Sequence, residues 1–173
     1  DGNYAYVADG SKGLAIIEIT DKANPGSPVY MNTNGQAYGI TVDGNYAYVA
    51  DGTSGLAIID VSDPTIPNTP VYMAVNSGAV KGVDVIAGYA YLAHSSDGLV
   101  IINVSDPTNP GSPVYMSTTG VNSYGVTVSG NYAYIADGSA GLAIIDVSDP
   151  TIPGSPIYMN TNNTAWGVTV SGN

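Results

Sequence analysis

One phrase recurs along the whole chain. Gly2-Asn3-Tyr4-Ala5-Tyr6-Val7-Ala8-Asp9-Gly10 returns at residues 44–52 and 130–138, and in looser form at 87–95, so the starts lie 42, 43 and 43 residues apart. A further step of 42 reaches Gly172-Asn173, the opening of the same phrase. Self-similarity at a period of about 20–50 residues marks a fold built by stacking one small unit, because a unit of that size cannot cover its own apolar face. The repeats read as 1–42, 43–85, 86–128 and 129–170, with 171–173 beginning a fifth. The extra residue of the longer copies falls between Met73 and Gly82 and between Met116 and Gly125, which places a loop there.

Each unit reads as four short strands. In the second, Gly39-Ile40-Thr41-Val42 alternates apolar and polar, and Asp43-Gly44-Asn45 supplies the positive-φ residues of a tight hairpin. Tyr46-Ala47-Tyr48-Val49-Ala50 follows, with its tyrosines on one face and Ala47 and Val49 on the other, so a bulky face can stack on the small-residue face of a neighbouring sheet. After the turn at residues 51–55, Leu56-Ala57-Ile58-Ile59-Asp60-Val61 is apolar on both faces, as a doubly covered strand requires. Val71-Tyr72-Met73 closes the unit. All 11 prolines sit in the four copies of the loop before that last strand; proline cannot donate to a ladder, which makes the loop a rigid peripheral connection. Four antiparallel strands per period with hairpin signals at the joints predict an all-β fold, a β-propeller of four-stranded blades. A β-solenoid, whose parallel coils need no hairpin inside the unit, is the rival architecture.

Composition narrows the function. Of 173 residues, 44% are hydrophobic and 10% charged, enough apolar character for a packed core. Lys and Arg total 3 against 14 Asp and Glu, so the net charge is −11 and no basic groove is available for nucleic acid or an anionic membrane surface. The absence of Cys removes disulfides, thiolate metal sites and cysteine nucleophiles. No apolar run approaches the ~20 residues of a membrane helix, so no membrane insertion is expected. The chain opens at Asp1 with no leader pattern, which reads as a processed chain or a segment of a longer array.

Leu56-Ala57-Ile58-Ile59-Asp60-Val61-Ser62-Asp63-Pro64, preceded by Tyr46-Ala47-Tyr48-Val49-Ala50-Asp51-Gly52, resembles the LVIVD repeat, and the copies beginning at Leu14, Leu99 and Leu142 resemble it as well. The resemblance implies a β-propeller that serves as a module of large secreted or surface-attached proteins of bacteria and archaea, hence an extracellular or cell-surface location. The third copy departs most, with Ile86-Ala87-Gly88 for Asp-Gly-Asn and His94-Ser95-Ser96-Asp97 for Asp-Gly-Thr-Ser.

The chain enters on the second strand of a blade, at Tyr4, and reaches the first strand of another at Trp166-Gly167-Val168-Thr169-Val170. Pairing residues 167–170 with residues 4–8 would satisfy both edges. Within one chain this strand exchange closes a four-bladed ring; between chains it gives a dimeric ring or a filament. Copies of the chain, or tandem repeats of it, are therefore the expected partners.

Candidate site residues follow from the blade. The positions entering the inner strand are Tyr38, Lys81, Tyr124 and Trp166, and the loops joining second and third strands carry Asp9, Asp51, His94 and Asp137. The resemblance implies that this is the face on which propellers bind ligands. Aromatics beside carboxylates can stack on a sugar ring and accept its hydroxyls, which makes glycans candidate ligands. The structural alternative is that the aromatics plug the channel and the acids cap their own turns. Lys81, Asp84, His94 and Asp97 break the sameness of the copies, either as a site or by drift.

Asp21, Asp63, Asp106 and Asp149 precede the proline loop and read as Asx-turns, with calcium as the alternative cofactor. Calcium would need Glu18 with Asp21, or Asp60 with Asp63, to turn to one side of an extended strand. Asn103-Val104-Ser105 and Asn162-Asn163-Thr164 fit the N-glycosylation pattern, with Asn162 in a loop the better acceptor. No strand-to-helix elbow, phosphate loop or paired-carboxylate signature accompanies the single histidine, so the expectation is a non-enzymatic module with a structural, self-assembly or adhesion role. The alternative is a propeller that binds glycans or another small ligand.

Overall fold

The structure, a computed structural model, describes residues 2–171. Its elements are all strands: β1 (Tyr4–Ala8), β2 (Leu14–Glu18), β3 (Val29–Met31), β4 (Gly39–Asp43), β5 (Tyr46–Ala50), β6 (Leu56–Asp60), β7 (Val71–Met73), β8 (Val80–Ile86), β9 (Tyr89–His94), β10 (Gly98–Asn103), β11 (Val114–Met116), β12 (Gly125–Ser129), β13 (Tyr132–Ala136), β14 (Leu142–Asp146) and β15 (Ile157–Met159). They form four antiparallel meander sheets in chain order: β1-β2-β3, β4-β5-β6-β7, β8-β9-β10-β11 and β12-β13-β14-β15. The second to fourth sheets are the predicted blades. The first lacks the innermost strand. The expected start of a fifth repeat falls mostly on residues 172–173, outside the described residues.

Two hairpin chemistries appear at the inner turn. In the second blade Asp43 pairs with Tyr46, and only Gly44 of the two loop residues takes a positive φ, 55°, the pattern that puts Gly first in the turn. In the third blade Ile86 pairs with Tyr89, and Ala87 (φ 52°) and Gly88 (φ 79°) are both left-handed. The loss of Asp-Gly-Asn there changes the turn type and forces an alanine into a region that its Cβ disfavours.

The sheets pack face to face as the strand alternation demands. Tyr4 and Tyr6 lie against Ala47, Val49, Ala57 and Ile59 of the second blade. Tyr46 and Tyr48 lie against Ala90, Leu92, Val100 and Ile102 of the third, and Tyr89 and Tyr91 against Ala133, Ile135, Ala143 and Ile145 of the fourth. Each junction thus seats one bulky face on one small face. The proline loops fold back on their own blades, with the amides of Gly26, Asn68, Gly111 and Gly154 donating to the carbonyls of Glu18, Asp60, Asn103 and Asp146 at 2.8–3.0 Å.

The inner strands converge on Gly39, Gly82, Gly125 and Gly167. A Cβ on Gly82 would lie 3.0 Å from Gly125 Cα, and one on Gly125 would lie 3.3 Å from Gly167 Cα. Only glycine allows backbones to approach this closely.

Candidate functional site

Each inner strand is entered by a loop from the preceding blade, and these loops carry the aromatic positions to the axis. Lys81 Nζ stands 4.1 Å from the Tyr124 ring centroid and donates to Asn122 Oδ1 at 3.2 Å. The Tyr124 and Trp166 centroids are 4.2 Å apart with the planes inclined at 43°. Lys81, Tyr124 and Trp166 therefore form one cation–aromatic–aromatic column. Desolvation holds the Lys81 pKa below the ordinary lysine value. Tyr38 joins no such stack among the described residues. It is 55% exposed, and Trp166 is 67% exposed.

The joining-loop acids have a different task. Asp51 and Asp137 are fully buried, and their oxygens are taken by the entering loop. Thr33 Oγ1 donates to Asp51 Oδ1 at 2.6 Å, and the Gly35 amide to Oδ2 at 2.9 Å. Thr118 Oγ1 (2.7 Å) and Ser123 Oγ (2.6 Å) donate to Asp137 Oδ1, and the Gly120 amide to Oδ2 at 2.9 Å. These carboxylates do not cap their own turns; each locks the loop arriving from the previous repeat. Asp9 holds the same position in the first blade, where it is exposed.

His94 replaces the acid at the third blade, and Val75 stands where Thr33 and Thr118 stand. The imidazole is fully buried. Its Nδ1 accepts the Asp97 amide at 3.2 Å, and Nε2 has no hydrogen-bond partner. Asp97 Oδ2 lies 3.2 Å from Nδ1, a salt bridge only if the ring is protonated. Burial pushes the His94 pKa down, against the upward pull of Asp97 and the Asn76 backbone. A ring that accepts at Nδ1 is neutral.

The outer-strand tyrosines read the same loops. Tyr115 Oη accepts the Asn76 amide at 3.1 Å, Tyr158 Oη accepts the Thr119 amide at 2.9 Å, and the Asn34 backbone approaches the Tyr72 hydroxyl in the same sense. Phenylalanine would pack there but leave the amide without that acceptor. Nothing in the sequence pairs these tyrosines with a loop about 40 residues earlier.

The acids before the proline loop form the expected Asx-turns. Asp63 Oδ1 accepts the Thr65 amide at 2.9 Å and its hydroxyl at 2.6 Å. Asp106 and Asp149 repeat both bonds, and Asp21 accepts the Ala23 amide. Hydrogen bonds to these carboxylates hold their pKa values below the ordinary aspartate value. Among the described residues no three His, Cys, Asp or Glu side chains gather in a metal-holding group. Asn103 is exposed at the end of β10, where its Oδ1 accepts the Ser105 amide at 3.0 Å. Asn162 is exposed in the last loop at φ 65°.

The first and last sheets both expose apolar side chains on their outward faces. At the first blade, β1 pairs with β2 alone, and the outward face carries Val7 (41% exposed) and Tyr30 (51% exposed); the equivalent Val49 and Ile135 are fully buried. A cleft of about 420 Å³ lined by Tyr4, Tyr6, Val42 and Pro64 opens beside that edge. At the fourth blade, Ile157 and Met159 are 69% and 64% exposed, and Leu142 is only half-buried where Leu14, Leu56 and Leu99 are fully covered. The segment after β15 is already seated: Ala165 bridges Gly138, as Ala37 bridges Gly10, and Gly167 takes the fourth place in the axial row. Residues 166–171 nevertheless form no ladder. The expected pairing of residues 167–170 with residues 4–8 is not made within the chain, and nothing beyond its chain neighbours comes within 4 Å of a Cβ placed on Gly167.

The crystal structure of Citrobacter koseri AztD resembles this architecture with a TM-score of 0.62 at 14% identity, over 99% of this chain and 49% of that one. The likeness is one of fold, and the chain spans about half the length of that structure. Comparison with curated proteins gave no match. The LVIVD repeat model matches four times in succession, over residues 1–33, 34–71, 77–115 and 122–161, in step with the sheets. With its repeats accounted for in this way, the chain belongs to the LVIVD repeat family.

Proposed function

We propose that the protein is a non-enzymatic assembly module, an extracellular or cell-surface propeller unit that joins copies of itself or tandem neighbours by strand complementation. One observation carries this reading: residues 165–167 sit in the place of a fourth inner strand without forming a ladder, and the inner edge of β1 is unpaired among the described residues. An unpaired ladder edge recruits another strand. By the register of β4 on β5, Gly167 would face Ala8, Val168 would face Val7 and Val170 would face Ala5. The bulky face of Tyr132, Tyr134, Leu142 and Met159 would then cover Ala5, Val7 and Ile17, as the internal junctions do. Covering an apolar side chain of this size is worth up to about 1.5–3 kcal/mol. The surface location rests on the kind of protein in which such repeats occur.

Mixing Val7→Cys chains with Val168→Cys chains under a short thiol cross-linker tests this. The expected product is a covalent dimer, with light scattering showing association that rises with concentration. A strict monomer at every concentration would overturn the reading.

A glycan-binding role is the second reading, favoured by the exposed Trp166 and Tyr38 rings at the axis. Asp51 and Asp137 are spent on loop locking, so the aromatics would carry recognition without them.

A further inference from the structure

The entry to the third blade departs from the others. Tyr38, Tyr124 and Trp166 stand at the entries to the second blade, the fourth blade and the segment after β15, and Lys81 takes the corresponding place in the third. It is the extra residue of a bulge: Val80 pairs with His94 and Gly82 with Ala93, which leaves Lys81 without a partner across the ladder. A bulge re-aims a side chain out of the alternation of its sheet. Here the ammonium comes to rest against the Tyr124 ring and at 3.2 Å from Asn122 Oδ1, both on the next entering loop.

No carboxylate answers that charge. Among the described residues, the contact of His94 with Asp97 is the one basic–acidic pair within salt-bridge distance. Asp51 and Asp137, the acids of the neighbouring joining loops, are buried and bonded to loop hydroxyls and amides. Lys12 and Lys22, the other two cations, are exposed, whereas Lys81 is half-buried and partly desolvated. A cation drawn out of water is compensated only in part by a ring face and one amide oxygen. An anion arriving from solution would complete the set.

The partners of Lys81 also wall a small cavity. A space of about 150 Å³ is bounded by Val121, Asn122, Tyr124, Gly138, Ser139 and Thr164. That is below the ~300 Å³ of a drug-sized site, so it suits one ring rather than a chain. An amide, two hydroxyls and an aromatic are the groups that take up the hydroxyls and the face of a sugar. The net charge of −11 repels ligands of high negative charge. A single carboxylate on an otherwise neutral ring matches both the lone ammonium and the field around it.

Resting on the glycan-binding reading, we infer that Lys81 is the carboxylate receptor of a site for an acidic sugar, a uronic acid unit whose ring lies against Tyr124 and whose hydroxyls meet Asn122, Ser139 and Thr164. Preference for acidic over neutral sugars comes from Lys81 alone, because the other two cations belong to the first blade.

The single tryptophan, Trp166, has its ring centroid 4.2 Å from that of Tyr124 and reports on the site by fluorescence. The test titrates the chain with the methyl glycosides of glucuronic and galacturonic acid and of their neutral counterparts, glucose and galactose, with calorimetry alongside. A uronic acid should bind saturably and roughly 10–100-fold more tightly than its neutral counterpart, the range for one hydrogen bond between charged groups. Lys81→Met should remove that preference and leave the neutral sugars bound as before. Lys81→Tyr installs the residue of two other entries and should do the same in a column that keeps an aromatic at every place. Lys22→Met removes the same charge at the periphery and should leave the preference intact. Equal binding of acidic and neutral sugars by the wild-type chain, or a preference that survives both Lys81 variants, would overturn the role of Lys81 and leave glycan binding standing. A preference lost equally in Lys22→Met would assign it to overall charge and overturn the inference in the same way. Binding of none of these sugars would overturn the glycan-binding reading together with it.

Discussion

The carboxylate of Asp84, on the inner strand of the third blade, accepts the amide of Val128 on the inner strand of the fourth at 2.7 Å. The other inner strands carry threonine there, at Thr41, Thr127 and Thr169. Asp84 thus adds a bond between neighbouring inner strands that the repeat pattern does not provide. Removing it as Asp84→Ala leaves the Val128 amide without that acceptor, at a cost of about 1–2 kcal/mol. Thermal denaturation should show a melting temperature roughly 3–6 °C lower. An unchanged melting temperature would show that the amide is satisfied by water.

Ala87 is held at φ 52° beside Gly88 at 79°. Both loop positions of this hairpin therefore need a left-handed residue, and Asn-Gly is the pair that suits them. Ala87→Asn should stabilise the chain by about 1 kcal/mol, since a left-handed alanine carries a penalty of about that size. The same change at a right-handed loop position would bring no such gain. Chemical denaturation, with the midpoint rising at constant slope, is the measurement that checks it.

Asp137 and Asp9 occupy equivalent positions with opposite burial. Asp137→Ala strands three donors, those of Thr118, Gly120 and Ser123, inside the fourth blade. A loss of roughly 2–4 kcal/mol is expected, since each stranded buried donor costs about 1–3 and part of that is recovered by relaxation. Asp9→Ala in dilute solution should stay within about 0.5 kcal/mol of wild type. Equal losses in the two variants would contradict the locking role.

His94 introduces a pH dependence of known sign. Burial lowers its pKa in the folded chain. As pH falls through about 6.5 the unfolded chain takes up a proton on this ring and the folded chain does not. The unfolded state then holds more protons, so stability declines with falling pH until the lower folded pKa is reached. The paired change His94→Asp with Val75→Thr rebuilds the lock of the other junctions. It should flatten the slope of unfolding free energy between about pH 7 and pH 5. Identical slopes in the two proteins would rule out His94 as the source. The turn carboxylates at Asp63, Asp106 and Asp149 act lower: their depressed values stabilise the fold above the ordinary aspartate pKa of 3.8, and that contribution is lost as pH falls through the folded values.

Local signals were legible and junction signals were not. Tyr46–Ala50 and Val71–Met73 are strands over the residues read from their pattern, because alternation and turn residues act within a few positions. Val61, read as the end of a strand, lies just outside β6 yet stays buried, packed with the first-junction core. The partners of Asp51 lie 16 and 18 residues earlier, in the preceding unit, and a periodic sequence gives every copy the same reason to bond inward or backward. The one readable trace was the joint replacement of threonine and aspartate by Val75 and His94. Of the expected entry positions in the column, Tyr124 directly precedes β12, Lys81 lies within β8 and Trp166 precedes a segment without a ladder; their stacking depends on how closely the glycines let the inner strands converge.

That each aspartate takes its donors from the unit before it bears on how such arrays change length. A cut at any point of the period, followed by insertion or loss of one whole unit, returns every interior carboxylate to a threonine and every tyrosine hydroxyl to an amide. Unequal exchange between repeats can therefore add or remove blades without any compensating substitution. Only the two outermost halves of the pattern are left to select what they meet.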